Sequence, residues 1–267
     1  MIVPEISQRN LSKKTVIIFD LDGTLTESKS KLEKDMAESL GRLLNKKRAA
    51  IIGGGSYAQF EKQFLAHFLY PAGLLKNLFL FPTSGARFYR YDDEWREIYS
   101  HILSQEEKEN IFDAFEKAFR ILSYEHTGES YGELFEDRGT QISFSPLGQC
   151  VVAVLGAERG VALKQKWNAE HDTTRKNLAR VLQEMLPDFE VRVGGLTTID
   201  VTKKGIDKGY GIRQIEKNLQ VPKSEMLFVG DALYEGGNDH PVLKEGVETI
   251  AVSGPEDTKK IIKILLL

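Results

Sequence analysis

The chain has 267 residues, 41% of them hydrophobic, and a formal net charge of -3, enough apolar mass for a full core and no basic field that would favour nucleic acid. Its one cysteine, Cys150, excludes an internal disulfide and fits a reducing compartment. The opening MIVPEISQRNLSKK lacks the apolar run of a signal peptide, and later apolar stretches are broken by Lys, Asn or Pro, so a cytoplasmic protein without membrane association is expected.

Thr15 to Asp20 is a compact β-branched run of the kind buried on both faces of a parallel sheet. Leu32 to Leu44 follows with apolar residues at helical spacing. A short strand AAIIGGGS leads into a second helical segment, YAQFEKQFLAHFL, whose aromatics read as the buried face of a helix, and NLFLFPTSG gives a third strand. This alternation predicts a doubly wound α/β domain with a mainly parallel sheet.

The rhythm changes near Arg87. RFYRYDDEWREIY reads as a hairpin, QEEKENIFDAFEKAFRIL as a long amphipathic helix, and TQISFSPLGQCVVAVLG as alternating strands; a helix over about 173–185 and the alternating FEVRVGGLTTIDVT follow. These form a separate α+β unit. After Gly205 the α/β rhythm resumes with a helix over about 209–219, the strand MLFVGDA, the strand ETIAVS and a last helix from Glu256. The expected layout is core over 1–86, an inserted α+β cap over 87–195 and core again over 196–267.

In open parallel sheets, ligands bind beyond the carboxyl ends of the strands. Here those ends carry Asp20 and Asp22, Gly53 to Ser56, Thr83 to Ser84, and Gly230 to Asp231. Carboxylates gathered there, with Asp239 nearby in sequence, would repel one another without a cation, and hard oxygen ligands select Mg²⁺.

With FDLDGTLT at the first strand end, Ser56 after the second, Lys208 in KGIDKGYGI and GDALYEGGNDH later, the chain resembles the haloacid dehalogenase superfamily, whose four motifs occur in this order. The insertion between the second and third motifs resembles the C2B-capped branch. GGNDH, PEDTKKI, FSPLGQ and GGLTTIDV resemble the eukaryotic-type phosphomannomutases within it.

The resemblance implies a phosphotransferase working through an aspartyl phosphate. It makes Asp20 the nucleophile and Asp22 the general acid and base, with Ser56 and Lys208 on the phosphoryl oxygens. Asp20, the backbone carbonyl of Asp22, and Asp231 would hold Mg²⁺, while Asn238 and Asp239 would position Lys208 or metal-bound water. In the cap it assigns the second phosphate and the sugar to Arg138, Gln149, Thr198 and Asp200, with Lys29 where the core of the family offers an arginine. Gln149 stands where the family carries an arginine, so the grip on the distal phosphate is reduced, and Arg159 is the candidate for a third family arginine. A mutase interconverting hexose 1- and 6-phosphates, with a hexose 1,6-bisphosphate activator, and a sugar-phosphate phosphatase on the same frame both remain open. The family's caps can also serve as dimer contacts, which raises a homodimer here.

Simpler roles exist for several of these groups. Asp20 and Asp22 could merely cap the following turn, and Ser56 could be only a helix N-cap. Gly53, Gly55 and Ala58 fit a dinucleotide-binding G-x-G-x-x-A, but no Asp or Glu between Glu61 and Asp92 would hold the ribose. His67, His101, His126, His171 and His240 form no ligand spacing and receive no role.

Overall fold

Strand β1 (Val16–Asp20) is buried at every position and lies between two parallel neighbours, which is why its sequence is a continuous apolar run rather than an alternation. The computed structural model describes residues 11–126 and 128–267; residues 1–10 of the opening stretch, read above for a leader, lie outside them. The main sheet has the order β11-β10-β1-β2-β3-β4-β5, with β2 (Arg48–Ile52), β3 (Leu78–Phe81), β10 (Met226–Gly230) and β11 (Glu248–Ala251) parallel to β1. Two strands, β4 (Arg87–Asp92) and β5 (Glu94–Ser100), extend it, β4 running antiparallel to β3.

Alternate residues of these strands feed two cores. Ile17, Phe19, Ile51, Leu80 and Val229 pack with Leu40 and Leu44 of α1 (Lys34–Leu44), Phe60 of α2 (Tyr57–Gln63) and Ile261 and Ile262 of α8 (Pro255–Leu265). On the opposite face Val16, Ile18, Ile52, Phe81 and Phe228 pack with Ile212 and Ile215 of α7 (Lys208–Leu219). The aromatics after Phe60 are buried as expected, but α2 stops at Gln63. Phe64, with φ -114°, breaks it, a 3₁₀ turn over Leu65–His67 and the one-turn α3 (Ala72–Leu75) follow, and Phe64 stacks on Phe68 with ring centroids 5.1 Å apart.

The second sheet has the order β6-β7-β9-β8 and is antiparallel throughout: β6 (Phe135–Asp137), β7 (Gln141–Phe144), β8 (Phe189–Gly194) and β9 (Thr198–Lys203). Ile142, Phe144, Ile199 and Val201 face a core shared with α4 (Gln105–Ile121) and α6 (Ala157–Met185). Alternation sends Ser143, Thr198 and Asp200 to the other face. The start of α4 was legible: Ser104 accepts from the backbone N–H of Glu107 at 3.1 Å, while the Glu107 carboxylate accepts from Ser104 N–H at 2.6 Å, closing a capping box.

The chain divides into two units. One runs to Tyr99 and resumes over Lys208–Glu235 and Asp239–Leu267; the other comprises Ser100–Asp207 and Gly236–Asn238. These divisions differ from the layout with a cap over 87–195. The aromatic hairpin β4–β5 belongs to the main sheet because β4 pairs with the edge of β3, and β9 belongs to the smaller sheet because it pairs with both β7 and β8. CVVAVLG is another departure: Val151–Leu155 is a short helix, α5, following a turn in which Gly148 has φ +81° and ending at Gly156, also φ +81°. The helix expected over 173–185 starts at Ala157. Among the described residues, no helix is long and apolar enough to cross a membrane.

The rim of the main sheet is built under tight constraint. After β3, Thr83 (φ 48°) and Ser84 (φ 57°) adopt left-handed conformations that are strained for such residues, and their N–H groups donate to the carbonyls of Gly55 and Gly53 at 2.9 Å each. Gly85 follows at φ +89°, where a Cβ would sit 2.7 Å from Cα of Gly211 in α7. Gly85→Ala is expected to cost about 2–4 kcal/mol, from the left-handed backbone and the collision with helix backbone together. A denaturant titration checks this; an unchanged midpoint would show that the turn yields without loss.

Candidate active site

The carboxyl end of β1, the loop that follows β10 and the first residue of α7 deliver four charged side chains, Asp20, Asp231, Asp239 and Lys208, to one point. Asp20, the last residue of β1, is 2% exposed; Lys208 is 1% exposed; Asp239 is fully buried. Lys208 Nζ donates to Oδ1 of Asp20 and to Oδ1 of Asp239. Asp231, directly after β10, is partly exposed, and Asp20, Asp231 and Asp239 each place a carboxylate oxygen within 4.8 Å of the others. Asp239 is fixed further by the N–H of Ala232, 3.0 Å from its Oδ2.

Two glycines make this packing achievable. Gly23, at φ +87°, turns the chain after Asp22, and a Cβ there would lie 2.5 Å from Oδ2 of Asp231. At Gly230 a Cβ would lie 2.3 Å from Oδ2 of Asp239. The glycine in DLDGT therefore serves the second acidic loop as well as its own turn.

The electrostatics follow from burial. Desolvation pushes Asp20 well above the usual carboxylate range, Lys208 pulls it back, and Asp239 and Asp231 push it up again. Asp231 is raised to about 6, by burial first and then by Asp239. For Lys208 burial acts downward, but Asp20 and Asp239 outweigh it and hold the ammonium above its ordinary value. Three carboxylates against one ammonium leave an uncompensated negative pocket, which suits a divalent cation with oxygen ligands.

The other expected core residues are placed as follows. The carboxylate of Asp22 lies outside the three-acid cluster and accepts from side chains of α2 and from the N–H of Lys29 at 2.5 Å. Lys29 itself has φ 52°. Ser56 is the N-cap of α2 and accepts from the N–H of Gln59 at 3.3 Å. The glycines before it have steric partners close by: Cβ atoms at Gly53 and Gly55 would meet Phe60 at 3.3 Å and Gln59 Oε1 at 2.6 Å.

In the second unit each of the four expected residues has a partner within the unit. Arg138 donates through Nε and Nη2 to Oε2 of Glu136, at 2.9 and 2.7 Å, and its Nη1 lies 3.9 Å from Asp200 Oδ1. Asp200 also accepts from Ser143 Oγ at 2.6 Å, and Thr198 Oγ1 donates to the carbonyl of Gly194 at 2.6 Å. Gln149 uses its amide on the carbonyls of Ser143, at 3.1 Å, and Leu134, at 3.3 Å. Arg159 is exposed in the first turn of α6, and Asn238 lies in the Gly236–Asn238 segment of this unit. Sequence reading missed Glu136; its two-residue spacing from Arg138, across the end of β6, was the available signal. A separate cavity of about 340 Å³, lined by Tyr124, Phe144, Trp167 and Arg175 among others, contains none of the four.

A mainly parallel sheet carrying acidic loops on its carboxyl rim, with an α+β unit inserted, is the fold of the haloacid dehalogenase hydrolases. One of these, from Bacteroides thetaiotaomicron, superposes with a TM-score of 0.59 at 15% identity, covering 94% of this chain and 98% of that one. A Plasmodium falciparum IMP-nucleotidase, in an N-terminally truncated IMP-bound structure, gives a TM-score of 0.69 at 18% identity, over 96% of this chain and 71% of its own. Within that fold the chain belongs to the eukaryotic phosphomannomutase family, whose profile matches residues 36–267. Among its relatives, the phosphomannomutase of Encephalitozoon cuniculi (strain GB-M1) is 28% identical over 258 residues, 92% of this chain and 91% of that protein.

Proposed function

We propose that the protein is a Mg²⁺-dependent phosphotransferase that interconverts hexose 1- and 6-phosphates in the cytoplasm through a phosphorylated Asp20. The observation that carries this reading is the buried Lys208 bridging Asp20 and Asp239 beside Asp231. Family membership supports it. Asp20, Asp231 and the carbonyl of Asp22 would hold the cation. When bound, Mg²⁺ supplies positive charge that screens the carboxylates and polarises the phosphoryl oxygens.

In the step itself, an oxygen of Asp20 forms a bond to phosphorus while the bond from phosphorus to the sugar oxygen breaks. That oxygen takes the proton of Asp22 as it leaves. In the reverse direction Asp22 removes a proton from the other sugar hydroxyl, which attacks the phosphorylated Asp20 and regenerates it. Lys208 and Ser56 offer donors to the phosphoryl oxygens. Arg138, Gln149, Thr198 and Asp200 are proposed for sugar and distal phosphate, with Lys29 from the core, and Asn238 and Asp239 for positioning; a hexose 1,6-bisphosphate would prime the cycle. The homodimer and the cap reading of the second unit belong to the same proposal.

A hydrolase of sugar phosphates is the second reading, and one observation favours it. Gln149 carries no charge and spends its amide on two backbone carbonyls, while Arg138 is paired with Glu136, so the distal phosphate would meet a weakened grip. Mannose 1-phosphate and glucose 1-phosphate, each with Mg²⁺ and a trace of hexose 1,6-bisphosphate, separate the two. The mutase yields the 6-phosphate with little free phosphate, and free phosphate without isomer would overturn it.

The cation has a test independent of turnover. A carboxylate whose folded-state pKa is raised favours the folded protein at low pH and loses that contribution as pH rises through the raised value. With Asp231 near 6 and Asp20 raised, the metal-free protein should lose stability between about pH 4 and 6. Melting curves in EDTA should show this fall, with Mg²⁺ restoring most of it above pH 6 and Asp231→Asn flattening it. Equal curves with and without Mg²⁺ at pH 7 would refute the site.

A further inference from the structure

Helix α2 presents two amides one turn apart, Gln59 and Gln63, that the steps above do not use. Gln63 is 5% exposed. Its Nε2 donates to Oδ1 of Asp22 at 2.8 Å and to Oγ1 of Thr26 at 2.7 Å. Its Oε1 accepts at 3.0 Å from Nε2 of Gln59, which also reaches Oδ2 of Asp22 at 3.4 Å. Both Asp22 oxygens are thereby held from α2, and the N–H of Lys29 holds Oδ1 from its own loop. The far end of the turn is tied into the same network: Thr26 Oγ1 donates to the carbonyl of Leu21 at 3.3 Å, and the N–H of Gly23 donates to the carbonyl of Thr26 at 2.7 Å.

The sequence makes room for this arrangement. A Cβ at Gly55 would lie 2.6 Å from Oε1 of Gln59, so the glycine leaves the space that the amide occupies. A buried glutamine is costly unless its amide is fully used, and here both hydrogens and the oxygen of Gln63 are engaged. The uncharged amide orients a carboxylate without an ion pair that would have to be broken before the carboxylate acts.

We propose that Gln63, backed by Gln59, is a positioning residue that fixes the rotamer of Asp22 for proton exchange with the sugar oxygen. The inference rests on the reading of Asp22 as the proton carrier. A loose Asp22 should hurt departure of a sugar alkoxide, which needs a proton, and spare departure of p-nitrophenolate, which does not.

The test compares Gln63→Met, which keeps length and burial but removes the amide, on two substrates. With mannose 1-phosphate kcat should fall about 10–100-fold, part of the full contribution of general acid–base catalysis, with KM within about twofold. The p-nitrophenolate burst that accompanies phosphorylation of Asp20 should keep its rate. A parallel fall of burst and sugar turnover, or no fall in either, overturns the proposal. Gln59→Leu, on a partly exposed residue, gives the same comparison with a smaller fall if Gln63→Met fails to fold. Asp22→Asn separates the two claims: if it retains sugar-phosphate turnover, the reading of Asp22 fails, whereas its loss alongside a fully active Gln63→Met fails the clamp alone.

Discussion

Lys208→Met should unfold about 3–5 kcal/mol more easily than the parent protein at neutral pH, and should be inactive. The reason is charge rather than packing. Lys208 is the cation bonded to both Asp20 and Asp239, which are almost wholly buried, and removing one partner of a buried ionic cluster leaves the others desolvated and uncompensated. The sign of the pH dependence gives a second signature. Without the ammonium the buried carboxylates have still more to gain from protonation, so the variant should recover stability as pH falls, and Mg²⁺ should stabilise it more than the parent. Thermal melts at pH 5 and pH 7.5, with and without Mg²⁺, read both effects. A variant that melts within a degree or two of the parent at both pH values would mean that the lysine carries no such burden.

Asp20→Asn is the counterpart with the opposite balance of effects. Turnover should fall by more than about 10⁴-fold, since the amide cannot serve as the nucleophile and the residues of such a site act as a unit. Stability should hold or rise slightly in the metal-free protein. One of three crowded carboxylates is neutralised, while Lys208 keeps Asp239 as its partner. Activity assays and melts on the same preparation test the pair of effects together. Retained turnover would refute the assignment of the nucleophile, and a collapse of the fold would show that the Lys208 bridge needs both acids.

How much of this was legible in the sequence depends on whether a feature is local. The run ending in Asp20 and Asp22 and the acidic loop after β10 announced themselves because buried parallel strands are continuous apolar runs with polar punctuation at the rim, whereas Lys208, opening α7, was singled out only by the family resemblance. Strand pairing was not local. The hairpin at 87–100 alternates in the same way whichever sheet it joins, and only its ladder to Leu80 and Phe79 assigns it. The run VVAVL has the β-branched composition of a strand, yet Gly148 and Gly156, both left-handed, deliver the chain into a single helical turn before α6. The first half of α6 is polar and holds Gly160 against Val152, so its helical spacing was weak. The amides of Gln59 and Gln63 carry no motif; their significance comes from Asp22, some forty residues earlier in the chain.

The measurement that tests the central claim most directly is the intact mass of the protein, acid-quenched within one turnover of adding hexose 1,6-bisphosphate and Mg²⁺, followed by peptide mapping. One phosphoryl group on the peptide containing Asp20, absent from Asp20→Asn and discharged by added hexose monophosphate, is the predicted result. Turnover without any phosphorylated enzyme, or with the phosphoryl group on another residue, would contradict the account.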